Sequence, residues 1–151
     1  MPYVSCPSAV VETPVSVVWG LLLEPTRWGN VFDLRVLSVD PPGPAVAGQE
    51  VRGETGRNLH LKLTFRMKEI DSEHHRLRMD VNLPFGLAVR EDLRCTPLDA
   101  THCQVDYRCD FGFPRGWRGI LLRLLLNPNL DSGPEDSLSR LKRAAEQGYG
   151  G

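Results

Sequence analysis

The stretch that decides the fold is NLHLKLTFRMKE, residues 58–69. Its even positions are polar or charged, and its odd positions carry the apolar side chains Leu59, Leu61, Leu63, Phe65 and Met67. Strict alternation of this kind is typical of a β-strand with one dry face and one wet face. Because strands that are wet on one face belong to antiparallel sheets, this stretch predicts an antiparallel sheet.

The alternation continues downstream with the same parity. In HRLRMDVNL, residues 75–83, the odd positions from Leu77 to Leu83 are again apolar, and the same parity continues to Phe113. The polar segment IDSEHH predicts one turn, PFG a second and TPLDA a third. We therefore expect several consecutive hairpins whose odd-numbered side chains share the inner face.

The segment before the alternating block predicts a first strand followed by two short helices. Residues 3–12 have the composition of a strand. Thr13 is a good N-cap, and Pro14 suits the first turn of a short, buried helix. A second short helix that contains Trp28 is expected over residues 25–30, and short strands are expected over 33–39 and 51–55.

The segment after the alternating block predicts a long C-terminal helix. Residues 115–127 are rich in leucine, and Pro128 disturbs the helical pattern. A new helix start is expected at residues 132–136, with an early proline and acidic residues in the first turn. We expect the long helix to be kinked or broken between Pro128 and Pro134.

Composition and charge are those of a globular protein with one domain over residues 1–151. Apolar residues make up 41% of the chain and charged residues 25%, and the net charge is −1. No long Lys/Arg tract occurs, so we expect no nucleic-acid partner. The N-terminus lacks the features of a signal peptide, and no apolar run approaches the roughly 20 residues that span a membrane. We expect a cytoplasmic protein with four free cysteines.

The order of these elements resembles the helix-grip fold of the START-like superfamily, also called SRPBCC or polyketide cyclase/dehydrase-like. The segment VVETPVSVVWGLLLEPTRW, residues 10–28, is similar to the opening of this family, where a strand enters a proline-started helix. The strands between Val51 and Phe113 are similar in number and length, and DSLSRLKRAAE, residues 136–146, is similar to the end of the family's long helix.

The resemblance implies an α+β fold in which a curved antiparallel sheet of about six to seven strands wraps around the long C-terminal helix. An apolar cavity would lie between the sheet and the helix. Members of the family bind lipids, sterols, plant hormones, quinones and polyketides, and some are aromatases or cyclases. The resemblance therefore implies a small apolar ligand, and we expect no cofactor.

The inner face defines the candidate ligand-binding residues. On the sheet these are Phe65, Met67, Met79, Val89, Cys95, Cys109 and Phe111. Trp117, Leu121 and Leu124 are spaced for one face of the helix and are expected to pack against the sheet. The alternative is that the same residues form a solid core that leaves no cavity.

Glu91 and Tyr107 are the two polar residues whose parity places them on this apolar face. With the last turn centred on residues 98–100, the hairpin register predicts Glu91 directly opposite Tyr107 and Cys95 opposite Cys103. The pair would anchor a ligand, or Glu91 would act as a general acid or base with a pKa raised by desolvation. The alternative is structural: Glu91 lies at the sheet rim, is turned outward by a bulge, or pairs with an arginine.

Other candidate sites have weaker support. His60 and His102 fall on the wet face, and His74–His75 fall in a polar turn, so we expect no metal site. Leu122 and Leu126 are expected on the outer face of the helix among arginines, which predicts either a homodimer or transient contact with an anionic membrane. If the helix is kinked, these two leucines are buried instead.

Three functions remain open from the sequence. The first is binding or transport of a small hydrophobic ligand, which needs a cavity and one or two polar anchors. The second is an enzyme of the polyketide aromatase/cyclase type, which needs several polar groups around the cavity. Glu91 and Tyr107 meet that need only in part, with Arg35 a third candidate if its side chain turns inward. The third function is a protein-interaction module without catalysis.

Overall fold

The structure is a computed structural model that describes residues 3–55, 61–126 and 129–147. Eight strands and four α-helices lie in these ranges. The strands are β1 (Tyr3–Ser5), β2 (Ser8–Val11), β3 (Leu34–Asp40), β4 (Glu50–Thr55), β5 (Lys62–Asp71), β6 (Arg76–Asn82), β7 (Ala88–Pro97) and β8 (Cys103–Gly112). The helices are α1 (Val15–Leu22), α2 (Trp28–Val31), α3 (Trp117–Leu126) and α4 (Asn129–Glu146).

All eight strands belong to one antiparallel sheet in the order β1-β8-β7-β6-β5-β4-β3, and β2 also pairs with β8. The predicted first strand is therefore two short strands, which flank Cys6 and Pro7 and use the same partner. The predicted α+β class is confirmed, with an antiparallel sheet and a C-terminal helix.

The alternation of the sequence matches the two faces of the sheet. Leu77, Met79 and Val81 of β6 are buried, whereas the intervening side chains lie on the outer face. There Arg76 Nη2 lies 2.7 Å from an Asp92 carboxylate oxygen. A register shift between Met67 and Glu69 ends the strict odd-inward pattern of β5. The predicted inner residue Leu59 and the outer residue His60 lie outside the described residues.

The N-cap of helix α1 lies one residue later than expected. Pro14 holds the N-cap position and makes no side-chain capping bond there, so the predicted capping role of Thr13 is wrong. The Pro14 carbonyl accepts a hydrogen bond from the Val17 backbone N–H at 3.0 Å. Val18, Trp19, Leu21 and Leu22 are buried, which agrees with the predicted burial of this helix.

The C-terminal region contains two helices, and the second is not interrupted at Pro134. α4 begins at Asn129, so the helix start expected at residues 132–136 is wrong. Pro134 lies inside the helix, where its ring nitrogen cannot donate to the carbonyl of residue 130. Leu138, Leu141 and Ala145 of α4 belong to the apolar core. The predicted disturbance at Pro128 lies outside the described residues.

The helix that covers the sheet is α4 rather than α3. It lies against β1, β2, β8 and both N-terminal helices. Trp117, Leu121 and Leu124 of α3 are 71%, 47% and 70% exposed, so their predicted packing against the sheet is wrong. The two residues predicted to face outward, Leu122 and Leu126, are half-buried instead. Because α3 is apolar on both faces, its sequence period could not identify the inner face.

Candidate functional site

A cavity of about 320 Å³ lies between the inner face of the sheet, α2 and the first half of α4. Its walls are mainly apolar. The lining residues are Trp28, Phe32, Asp33, Leu34, Thr55, Leu63, Phe65, Met79, Val81, Leu83, Val89, Glu91, Leu93, Tyr107, Cys109, Phe111, Gly133, Pro134, Asp136 and Ser137. The alternative of a solid core without a cavity is therefore wrong.

Seven of the predicted ligand-binding residues line this cavity: Phe65, Met79, Val89, Glu91, Tyr107, Cys109 and Phe111. Their contact with a ligand stays a prediction. Met67 and Cys95 are each 1% exposed and lie in the core away from the lining, so their placement at the cavity is wrong. Trp117, Leu121 and Leu124 are also outside it, because α3 does not cover the inner face.

The predicted register of the last hairpin is wrong by two residues. Glu91 stands opposite Cys109, Leu93 opposite Tyr107, and Pro97 opposite Cys103. The cause lies in the turn. The Asp99 carboxylate accepts a hydrogen bond from the Thr101 backbone N–H at 2.7 Å. The Leu98 backbone N–H also donates to the His102 carbonyl at 3.0 Å, so the turn is centred on residue 100, one residue beyond the position that the sequence suggested.

Glu91 and Tyr107 nevertheless meet. They occupy diagonal positions on β7 and β8, and diagonal neighbours lie within reach of an aromatic side chain. The Tyr107 hydroxyl donates a hydrogen bond to Glu91 Oε1 at 2.5 Å. Tyr107 is only 7% exposed. The pair is therefore the polar part of an otherwise apolar section of the sheet face.

Burial raises the pKa of Glu91 to about 7, while the hydrogen bond from Tyr107 lowers it and offsets part of that rise. Glu91 keeps some accessible surface because it borders the cavity. Its strand neighbours on the inner face are Met79 and Cys109, which bring no charge. Within the described ranges, Glu91 forms no ion pair with an arginine. The pairing of β7 with β6 and β8 runs through Glu91 without a register shift, and β7 is an inner strand of the sheet, so neither a bulge nor an edge strand turns this residue outward.

Tyr107 and Cys109 keep their protons at neutral pH. Burial, together with the nearby negative charge of Glu91, raises the pKa of the Tyr107 phenol well above its ordinary value. Burial also raises the pKa of the Cys109 thiol, and it raises the pKa of Cys95 to about 12. All four cysteines are free, as predicted, and the buried ones are thiols rather than thiolates. They therefore lack the properties of reactive nucleophiles.

Several residues of the cavity lining were not predicted from the sequence. Trp28 and Phe32 form one wall, with their rings at an interplanar angle of 85°. Phe32 directly follows the short helix α2, four residues after Trp28, and this spacing could have indicated that the two rings lie on the same side. Asp33, Asp136 and Ser137 add polar groups, and Asp136 forms an ion pair with Arg140 at 2.7 Å. Arg35 is exposed and lies outside the lining, so the condition under which it was a candidate, an inward side chain, is not met.

Asp71, Glu73 and His74 bring potential metal ligands together in the turn between β5 and β6. The Asp71 carboxylate accepts hydrogen bonds from the backbone N–H groups of Glu73 and His74, at 3.1 and 3.2 Å. His102 contacts Asp99 Oδ1 through Nδ1 at 3.1 Å. These contacts account for both clusters as turn structure.

None of the helices in the described ranges is long and apolar enough to cross a membrane.

An antiparallel sheet closed by a C-terminal helix, with a mainly apolar cavity between them, is the helix-grip arrangement. The family model described as polyketide cyclase / dehydrase and lipid transport matches residues 7–146. The chain belongs to this family, as the resemblance implied.

Solved structures of similar fold come from bacteria and from a plant. The Zhui aromatase/cyclase from Streptomyces sp. R1128 superimposes with a TM-score of 0.75 at 16% identity, covering 97% of this chain and 95% of that one. A point mutant of norcoclaurine synthase from Thalictrum flavum gives a TM-score of 0.72 at 11% identity, with coverages of 97% and 96%. A conserved protein from Geobacillus kaustophilus gives 0.70 at 10% identity, with 96% of both chains covered. No curated protein matches the sequence. Identities this low establish the fold alone.

Proposed function

We propose that the protein binds one small, largely apolar molecule in the cavity and holds its hydroxyl or carbonyl group at Glu91 and Tyr107. The observation that carries the proposal is the 2.5 Å hydrogen bond between these residues in a mainly apolar cavity. Binding sites for small molecules typically combine apolar walls with a few placed polar groups.

The size of the cavity restricts the ligand. About 320 Å³ is at the lower end of the roughly 300–1,000 Å³ that small-molecule sites occupy. Aromatic side chains of Trp28, Phe65 and Phe111 border this space and favour a flat ring system. A compact ligand of one to a few rings therefore fits the proposal better than an extended lipid chain.

The polar pair restricts the chemistry of the ligand's polar group. The Tyr107 proton is used in the bond to Glu91, so the phenol oxygen is an acceptor for the ligand. The second carboxyl oxygen of Glu91 donates when protonated and accepts when ionised. A ligand hydroxyl satisfies both partners when Glu91 is protonated, because it accepts from the carboxyl group and donates to the Tyr107 oxygen. When Glu91 is ionised both partners are acceptors, so the hydroxyl proton serves one of them, whereas a ligand carboxylate would meet the charge of ionised Glu91.

Ligand screening tests the proposal directly. We expect native mass spectrometry of the purified protein, or thermal shift with hydroxylated aromatic compounds, quinones and fatty acids, to reveal a binder. Tyr107→Phe should weaken a hydroxyl-bearing ligand by about tenfold, because one hydrogen-bonding site is lost. Exposed Glu69, which pairs with Arg78, supplies the control Glu69→Gln, and this variant should bind like wild type. Absence of any binder across the panel would contradict the proposal.

A second candidate function is proton-transfer catalysis of the cyclase or aromatase type. The observation that favours it is the pKa of Glu91, which lies at about 7 and suits a general acid or base at neutral pH. The family includes polyketide cyclases, and the Streptomyces protein of similar fold is an aromatase/cyclase. Asp33, Asp136 and Ser137 add polar groups to the lining beyond those found in the sequence.

The pH dependence of turnover separates catalysis from binding. If Glu91 is a general base, kcat should rise with pH up to about 7 and then level off, because the ionised form is the active one. If Glu91 is a general acid, kcat should fall over the same range. Glu91→Gln should lower kcat by about 10²–10⁴-fold while a ligand still binds, and Glu69→Gln should not change it. Unchanged turnover in Glu91→Gln would exclude the catalytic role.

A further inference from the structure

The helix α3 presents a continuous apolar face to solvent. Its exposed side chains follow the spacing i, i+3, i+4, i+7 and i+8, which places them on one side of a helix. They are Trp117 (71% exposed), Ile120 (66%), Leu121 (47%), Leu124 (70%) and Leu125 (66%). An exposed patch of this size and continuity on a single helix is typical of a docking surface.

The exposed face of α3 does not contribute to the apolar core of the described residues. Gly119 is the buried residue of α3, and it packs against the Pro114 carbonyl so closely that no side chain fits there. Leu122 and Leu126, on the opposite side, are half-buried. Among the described residues, the apolar core includes none from α3. The exposed leucines therefore make no contribution to the core that would explain their presence.

The sequence of the helix and its immediate flanks is basic. Residues 111–130 include three arginines, Arg115, Arg118 and Arg123, and no acidic residue, although the net charge of the whole chain is −1. The Arg118 guanidinium lies 5.8 Å from the centre of the Trp117 ring, beside the apolar face. Phe85, 74% exposed, lies in the turn that packs against Pro114, just before α3.

We propose that α3 docks the protein on an anionic lipid surface, with its apolar face in the interface and the exposed Arg115 and Arg118 at the headgroups. Arg123 lies over the Tyr3 ring instead, 5.8 Å from its centre. Amphipathic helices with a tryptophan and leucines on one face and arginines beside it bind membranes in this way. Anionic headgroups attract each basic residue near the membrane surface. Residues 111–130 contain no acidic side chain that would oppose this attraction. This inference goes beyond ligand binding and does not depend on it.

Charge also favours a membrane over a second copy of the chain. A symmetric dimer through this face would bring the arginines of one α3 close to those of the other, and residues 111–130 contain no acid to compensate them. A lipid surface offers both the apolar layer and the negative charge. Docking would also bring α4, which follows α3 and lines the cavity with Gly133 and Pro134, close to the bilayer.

Tryptophan fluorescence with vesicles tests the docking. Trp19 and Trp28 are 6% and 1% exposed, so a shift in emission on binding would come from Trp117. With vesicles of phosphatidylcholine containing about 30% phosphatidylserine at low salt, we expect a blue shift and flotation of the protein with the vesicles. Pure phosphatidylcholine vesicles should give at least about tenfold weaker binding, as should roughly 0.5 M salt.

Variants identify the surface. Leu121→Glu/Leu124→Glu should lower vesicle binding by at least about tenfold. The matched control Val46→Glu/Leu98→Glu changes two exposed apolar residues in turns of the sheet and should bind like wild type. Circular dichroism would verify that both proteins are folded. Equal vesicle binding by the two double variants would overturn the proposal, as would the absence of wild-type binding to anionic vesicles. A wild-type dimer in sedimentation equilibrium that only the α3 variant abolishes, without vesicle binding, would overturn it in favour of a second copy.

Discussion

Replacing Glu91 by glutamine should stabilise the folded protein increasingly as the pH rises from about 5 to about 8. In the folded state burial raises the pKa of Glu91 to about 7 from an ordinary value of 4.5. The folded state therefore favours the protonated form. Its stability contribution is complete below pH 4.5 and is lost as the pH rises through about 7. Glutamine stays neutral and can still accept the Tyr107 hydrogen bond, so it avoids this loss.

The expected size of the effect is large for a single conservative change. Between about pH 5 and pH 8 the stability difference between Glu91→Gln and wild type should grow by roughly 2–3 kcal/mol in favour of the variant. Urea unfolding at intervals of about one pH unit across this range would measure it. Glu69→Gln, on the exposed side of β5, is the control and should follow wild type at every pH. Parallel pH profiles for all three proteins would mean that Glu91 titrates normally in the folded state.

The inner face of the sheet could be predicted from the sequence because side chains in a strand alternate with a period of two. Val89, Glu91 and Phe111 lie on the cavity face for that reason alone. The hairpin order followed from the turn residues between the alternating segments. Fold class and most of the sheet's contribution to the site were therefore available from local patterns.

The register between β7 and β8 could not be predicted from the sequence, because it depends on the geometry of the turn that joins them. The turn is centred on Ala100, with Asp99 accepting a hydrogen bond from the Thr101 backbone N–H, and the pairing of β7 with β8 lies two residues from the expected register. A register shift of two residues leaves every side chain on its original face of the sheet, so Glu91 and Tyr107 stay on the same face. Their hydrogen bond then depends on the length of the phenol side chain, which spans the diagonal.

The opposite wall of the cavity could not be predicted, since it is assembled from distant segments. Gly133, Pro134 and Ser137 have no periodic apolar signal, and they reach the cavity because α4 passes over the open side of the sheet. The prediction that α3 packs against the sheet failed because leucines lie on both faces of this helix, and both faces satisfy the same helical period. A pattern shows which side chains share a face, but not what covers that face.

Truncation to alanine should change the stability of the protein very differently at Trp28 in α2 and at Trp117 in α3. Trp28 is 1% exposed, its Nε1 donates to the Leu22 carbonyl at 3.3 Å, and its ring centre lies 5.5 Å from that of Phe65. Trp28→Ala should lower the free energy of unfolding by about 3–5 kcal/mol, because it removes buried ring area and leaves a void beside the cavity. Chemical denaturation at about pH 6 would measure the loss.

Trp117→Ala is the matched control, because it makes the same change in a side chain that is 71% exposed on α3. Its effect on the free energy of unfolding should stay within about 0.5 kcal/mol, as for surface substitutions that break no buried contact. A loss in Trp117→Ala as large as that in Trp28→Ala would mean that α3 packs against the sheet after all. The ratio of the two losses therefore decides which tryptophan belongs to the wall of the cavity and which to the outer surface.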